Sequence, residues 1–105
     1  MITMIARMRV PAENAAAYEA LMTEVTDMTL QHEPGVLYYA WARSADEPGN
    51  YVVVEVYRDE HAHAAHMAAE WVRKSIPVAI SLVEGKFEIN QYVSPGQQSV
   101  ILQHG

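Results

Sequence analysis

The chain has 105 residues, a net charge of −6 and no cysteine, and half of its residues are hydrophobic. That length accommodates one domain, and the hydrophobic content argues against disorder. Seven Lys and Arg against thirteen Asp and Glu lack the cationic footprint of a nucleic-acid binder and give no reason to expect anionic lipid. Without cysteine, disulfides, thiolate nucleophiles and thiolate metal sites are excluded. The opening Met1 to Val10 lacks the apolar core and cleavage site of a signal peptide, and no stretch approaches a membrane span in length, so a cytoplasmic protein is expected.

Ile2 to Val10 predicts a strand, with Ile2, Met4, Ala6, Met8 and Val10 on one face and Thr3, Ile5, Arg7 and Arg9 on the other. Pro11 ends it. From Ala12 to His32 the period becomes helical, with Tyr18, Leu21, Met22, Val25 and Met28 as the apolar stripe. Glu33-Pro34-Gly35 stops that helix. Val36 to Arg43 predicts a second strand. Asp46, Glu47, Pro48 and Gly49 supply hairpin chemistry, and Tyr51 to Arg58 predicts a third strand. Its Val52 to Val54 run implies burial on both faces.

Asp59 is placed to N-cap a helix running from Glu60 to near Ala69. A further helical stretch passes through Trp71, Val72, Ile76, Ala79, Leu82 and Val83. Pro77 inside it is expected to kink or divide it, and Gly85 to end it. Lys86 to Val93 predicts the fourth strand. Residues 94–105 form a tail, separate from a domain over 1–93, with a linker-like Ser94 to Gln98 and an apolar Val100 to Leu102. That apolar run suits addition to a partner's sheet edge, and equally a frayed terminus.

The order β-α-β-β-α-β predicts an α+β, ferredoxin-like fold: a four-stranded antiparallel sheet with helices on one face. Tyr39, Trp41 and Tyr57 would then lie opposite Val52, Val54 and Val56, leaving an apolar second face without cover. The simplest cover is the same face of a second copy, a two-fold homodimer joined through its sheets.

The segment from Glu33 to His66 resembles the antibiotic biosynthesis monooxygenase family of the dimeric α/β-barrel superfamily. The resemblance is carried by Pro34-Gly35, Tyr39, the hairpin at 46–49, Glu55-x-Tyr57, Asp59 and His66, in ungapped spacing. It implies homodimers whose sheets meet as a barrel, each subunit keeping a pocket between sheet and helices. It also implies several chemistries. Some relatives oxidise anthrones or polycyclic phenols to quinones with molecular oxygen and without metal, flavin or haem. Others isomerise small phosphorylated carbonyl compounds, and related proteins degrade haem. The haem-degrading pattern of Asn, Trp and His meets Arg7, His66 and Ile76 here, so that activity is not expected. One fold carrying several reactions does not select among them.

A cofactor-free oxygenase must deprotonate an electron-rich substrate whose anion then reduces oxygen. It needs a base, donors for the anion and an apolar cavity. His66 is the candidate base, because histidine titrates near neutral pH, and it falls on the Ala62, Ala65, Ala69 side of its helix. The alternative is a core histidine satisfied by hydrogen bonding. Tyr39, Trp41 and Arg43 share a strand face with Leu37, and Tyr57 lies on the neighbouring strand; these are candidate substrate binders, with plain packing as the alternative. Trp71 is a candidate pocket wall or a core cap. Glu55, within an apolar strand, reads either as an acid–base group or as a structural acid paired with Arg7, Arg9 or Arg43. His61, His63 and His66 offer at most two ligands on one helix side, so no metal is expected.

The resulting expectation is a homodimeric, cofactor-independent oxygenase of a small aromatic, anthrone-like or quinol substrate. An isomerase of a small carbonyl compound would instead require a cationic phosphate patch, for which Arg43 with Arg73 or Lys74 is the only suggestion. A non-catalytic binding dimer would show a closed cavity with His66 satisfied by the backbone.

Overall fold

The computed structural model describes residues 1–95. Strand β1 (Ile2–Arg9) is followed by a 3-10 turn (Ala12–Asn14), helix α1 (Ala15–His32), strands β2 (Val36–Arg43) and β3 (Asn50–Tyr57), helices α2 (Glu60–Ala68) and α3 (Glu70–Leu82), and strand β4 (Glu84–Val93). All three strand pairings are antiparallel, in the order β2-β3-β1-β4, which is the ferredoxin-like α+β arrangement. The tail expected to pair with a partner's edge lies, from residue 96 onward, outside the described residues. No helix among the described residues is long and apolar enough to cross a membrane.

The two-residue strand period sorts side chains onto faces as the alternation requires. Ala6 pairs with Val53 and Met8 with Tyr51; Trp41 pairs with Val53 and Tyr39 with Glu55. These residues face the helices. In α1, Tyr18, Met22, Val25 and Thr29 recur at helical spacing and are buried against that face. The resulting core joins Ala6, Met8, Val10, Tyr18, Met22, Val25, Tyr39, Tyr51 and Val53. The opposite sheet face carries Ile5, Tyr38, Ala40, Val52, Val54, Val56 and Tyr92; Tyr38 and Tyr92 are more than half exposed.

Local chemistry departs from the sequence expectation at three places. The register of β2 against β3 shifts between Val36 and Tyr38, so Leu37 is absorbed at a bulge and is exposed rather than sharing the Tyr39 face. The break between the second and third helices falls at Ala69, whose ψ of 138° is extended, and α3 continues through Pro77. Pro77 is exposed, so water can satisfy the carbonyl that its missing N–H leaves unpaired. Gly85 does not cap α3, whose C-cap is Val83. It lies at the start of β4 with φ of 75°, where the β1 register jumps from Glu88 to Glu84.

Asp59 caps α2 as expected, accepting from the Ala62 amide at 2.8 Å. Two further contacts seat α2 on the sheet. The Arg58 amide donates to the Gly35 carbonyl at 2.9 Å. A Cβ at Gly35 would stand 2.6 Å from the Ala62 Cβ, so only glycine lets the chain pass there.

Candidate active site

Between the helix-facing side of the sheet and helices α1 and α3 lies a cavity of about 330 Å³. Its walls are apolar: Met8, Met22, Val25, Val53, Val72, Ile76, Ala79, Ile80 and Phe87 among them. Polar groups enter it from Tyr18, Tyr39, Glu55, His66 and Ser75. Three of these converge. Tyr39 and Glu55 face each other across β2 and β3, and the Tyr39 and His66 rings lie 5.2 Å apart between centroids.

His66 sits in the last turn of α2 and is 2 % exposed. Its Nδ1 lies 2.9 Å and 3.1 Å from the two oxygens of Glu33. Glu33 is the C-cap of α1, a position where the helix dipole disfavours a carboxylate. Two ring N–H donors compensate: His66, and Trp71, whose Nε1 donates to Glu33 Oε2 at 3.0 Å. Trp71 also reaches the Thr29 hydroxyl at 3.3 Å. A carboxylate can only accept from Nδ1, so in the neutral imidazole the proton sits there and the Nε2 lone pair is free. Nε2 stands 3.9 Å from Glu55 Oε1, beyond hydrogen-bond reach.

Among the described residues Glu55 pairs with no arginine, contrary to the pairing with Arg7, Arg9 or Arg43 that the sequence offered. Tyr57, wholly buried, donates its hydroxyl to Glu55. Burial pushes the Glu55 carboxyl above its ordinary range, against the lowering effect of the Tyr57 hydrogen bond and the neighbouring His66 and His63. Burial, reinforced by Glu55, likewise pushes the Tyr39 and Tyr57 phenols up, so both stay protonated donors. Among the described residues no protein group bonds the Tyr39 hydroxyl, and it is available to a bound molecule. The Tyr57 ring lies 4.9 Å from that of His63 and 5.4 Å from that of His66, closing the site from behind.

Of the six residues singled out in the sequence, His66 and Tyr39 line the cavity and Tyr57 acts on it through Glu55. The other three lie elsewhere. Arg43 is exposed, its Nη1 3.2 Å from Glu19 Oε2. Trp41 packs on the core edge and faces an outer groove beside Glu19, Ala20 and Thr23. Trp71 stands behind Glu33 rather than at the cavity wall. Glu33 was not singled out. The signal available was a carboxylate ending a helix, at the wrong pole of its dipole.

An α+β ferredoxin-like domain that buries a histidine–carboxylate pair beside an apolar cavity is the class of protein these features define. Residues 1–76 match the family model described as "Antibiotic biosynthesis monooxygenase", and the chain belongs to that family. Among solved structures, it is similar to a Caulobacter crescentus protein provisionally named an antibiotic biosynthesis monooxygenase. The two are 25% identical over 87% of this chain and 86% of that one, with a TM-score of 0.83. A Deinococcus radiodurans protein with the same provisional name is 22% identical over 96% of this chain and 99% of that one, with a TM-score of 0.82. A conserved protein from Methanosarcina mazei is also 22% identical, over 87% and 89%, with a TM-score of 0.82. No curated protein matches the chain.

Proposed function

We propose that this protein is a cofactor-independent monooxygenase that oxidises a small aromatic, anthrone-like or quinol substrate with molecular oxygen, with His66 as base. The observation carrying the proposal is the free Nε2 of a histidine anchored at Nδ1, facing an apolar cavity. Nε2 removes a proton from the substrate carbon or hydroxyl. The Tyr39 hydroxyl donates to the oxygen on which the anion's charge collects. The electron-rich anion then passes electrons to oxygen. For an anthrone the balance is substrate plus O₂ giving quinone plus water. The methylene carbon loses two C–H bonds and gains a carbonyl oxygen, and the second oxygen atom leaves as water with both protons. The apolar walls favour a flat neutral substrate and keep its anion away from water.

The cavity lining supports this reading over the isomerase. Among the described residues no lysine or arginine contributes to it, and Arg43 is engaged by Glu19 on the outside. A carboxylate rather than backbone on Nδ1 and an open cavity weigh against a closed binding module. The proposal includes a homodimer joined through the uncovered sheet faces, because Ile5, Tyr38, Val52, Val54, Val56 and Tyr92 form a patch that is seldom left in water.

The test is oxygen consumption with anthrones, naphthols and reduced quinones, in the presence of chelator, alongside the His66→Ala variant. Uptake that survives chelator and disappears in the variant supports the proposal. No uptake with any substrate, or equal uptake in the variant, overturns it.

A further inference from the structure

We propose that Glu33 is the positioning residue of this site, setting which nitrogen of His66 carries the proton. The inference rests on reading His66 as the base, since only the Nδ1–H form offers Nε2 to the cavity. Four observations carry it. Both Glu33 oxygens lie within 3.1 Å of Nδ1. The Glu33 side chain is 9 % exposed, so water does not compete strongly for it. Trp71, which can only donate, holds Glu33 from the far side. And Glu33 occupies a helix C-terminus, where a carboxylate opposes the dipole and gains nothing for the helix itself. A residue that breaks a local rule while serving a buried histidine is placed for the site rather than for the fold.

The groups facing His66 are few. Glu33 approaches from the end of α1, Tyr39 from β2, Glu55 and Tyr57 from β3, and His63 from its own helix. Of these, Glu33 alone is within hydrogen-bond distance of a ring nitrogen. Glu55, on the other side, is too far from Nε2 to hold a proton there. The tautomer is therefore decided at Nδ1. Trp71 belongs to the same device: it orients the carboxylate that orients the ring.

The experiment is a long-range proton–nitrogen correlation spectrum of His66 in the wild type and in Glu33→Gln. In the wild type the proton is expected on Nδ1 and the lone pair on Nε2. In Glu33→Gln the amide oxygen is expected to take the place of Oε2, which Trp71 holds, putting the NH₂ in the place of Oε1, the atom nearer Nδ1 at 2.9 Å, where it opposes an Nδ1 proton and favours one on Nε2. Oxygen uptake by that variant is then expected to fall at least about 100-fold in kcat with KM unchanged, because the ring presents the wrong nitrogen while the cavity walls stay intact. A proton on Nε2 in the wild type, which needs no variant to fold, overturns the proposal. So does a Glu33→Gln protein that keeps its Nδ1 proton. The spectrum requires no substrate, so the two readings fail separately. An Nδ1 proton in a protein that consumes no oxygen leaves Glu33 as positioner and removes the oxygenase. Uptake from a protein whose proton sits on Nε2 does the reverse.

Discussion

Tyr57 donates its hydroxyl to Glu55, two residues earlier on the same strand and on the same face of the sheet. The phenol is wholly buried and the Glu55 side chain is 17 % exposed, and burial is the largest influence on both, raising each above its ordinary range. For Glu55 the consequence for stability has a definite sign. Its folded-state pKa is raised, so the folded protein binds that proton more tightly than the unfolded chain. The associated stability is fully present below the ordinary carboxyl pKa and is lost as pH rises through the folded value. Denaturant midpoints measured across pH 4 to 8, a range chosen to bracket roughly the ordinary carboxyl pKa and neutrality, are expected to decline for the wild type above the ordinary carboxyl value. The Glu55→Gln variant, which cannot ionise, removes this component. A wild-type curve that runs parallel to that of Glu55→Gln over the whole range would show that burial does not hold the proton on Glu55.

Tyr39 supplies a second prediction. Its hydroxyl lines the cavity without a protein partner among the described residues, and burial keeps it protonated. Tyr39→Phe deletes one donor and leaves the ring that packs on His66. Stability is expected to change by less than about 1 kcal/mol. Turnover is expected to fall by about 100-fold, the loss typical of one donor to a developing oxyanion. Steady-state oxygen uptake checks this, and an unaltered kcat would remove Tyr39 from the reaction.

Trp71 separates a wall from a support. If it bounded the substrate, replacing it by Phe would raise KM. Its indole N–H is instead given to Glu33 and Thr29, outside the cavity. Trp71→Phe is expected to lower kcat and leave KM unchanged, and to destabilise the fold by about 1–3 kcal/mol, because the buried carboxylate loses a donor. Michaelis parameters and a denaturation curve on the same preparation decide the point.

The alternation of apolar residues in β1, the apolar run of β3 and the Asp59 cap were legible in the sequence because each is a local signal. So was the placement of Tyr39 and Tyr57 on one face, which follows from the two-residue period, although Leu37, expected beside Tyr39, leaves that face at the bulge. The partners of those residues were not legible. Glu33 and His66 are 33 positions apart in the chain, and nothing local in either announces the other. Arg43 looked like a substrate ligand because it shares a face with Tyr39. The sheet end and the length of its side chain carry it out to Glu19 instead. Pro77 looked like a break because proline removes an N–H from the helix, and its exposure lets water take up the carbonyl left unpaired.

Gly35 connects the fold to the site. Its α-carbon passes so close to Ala62 that an added methyl would overlap the Ala62 Cβ, and Ala62 lies one turn before His66 on α2. Gly35→Ala is expected to cost about 1–3 kcal/mol, as overpacking does. The same substitution made in Ala62→Gly, which vacates the space, is expected to cost less. A double-mutant cycle by chemical denaturation measures the difference, and strict additivity would place the strain somewhere other than this contact.

The uncovered face of the sheet bears on assembly. Val54 lies at its middle, paired with Ile5 on one side and Ala40 on the other. In a two-fold dimer joined through this face, residues near the axis meet their own copies, so a charge introduced there meets a like charge. Burying the two patches against each other contributes about 25 cal/mol for each Å² of apolar surface removed from water, and a pair of desolvated lysines opposes that gain directly. Val54→Lys is therefore expected to sediment as a monomer where the wild type sediments as a dimer. Within one chain Val54 is only half-buried, so the variant's own fold is expected to survive, with an unchanged far-ultraviolet circular dichroism spectrum. The candidate site lies on the other side of the sheet, and any activity retained by such a monomer would show that each subunit carries a complete site. A wild-type protein that sediments as a monomer at micromolar concentration would refute the paired-sheet assembly itself.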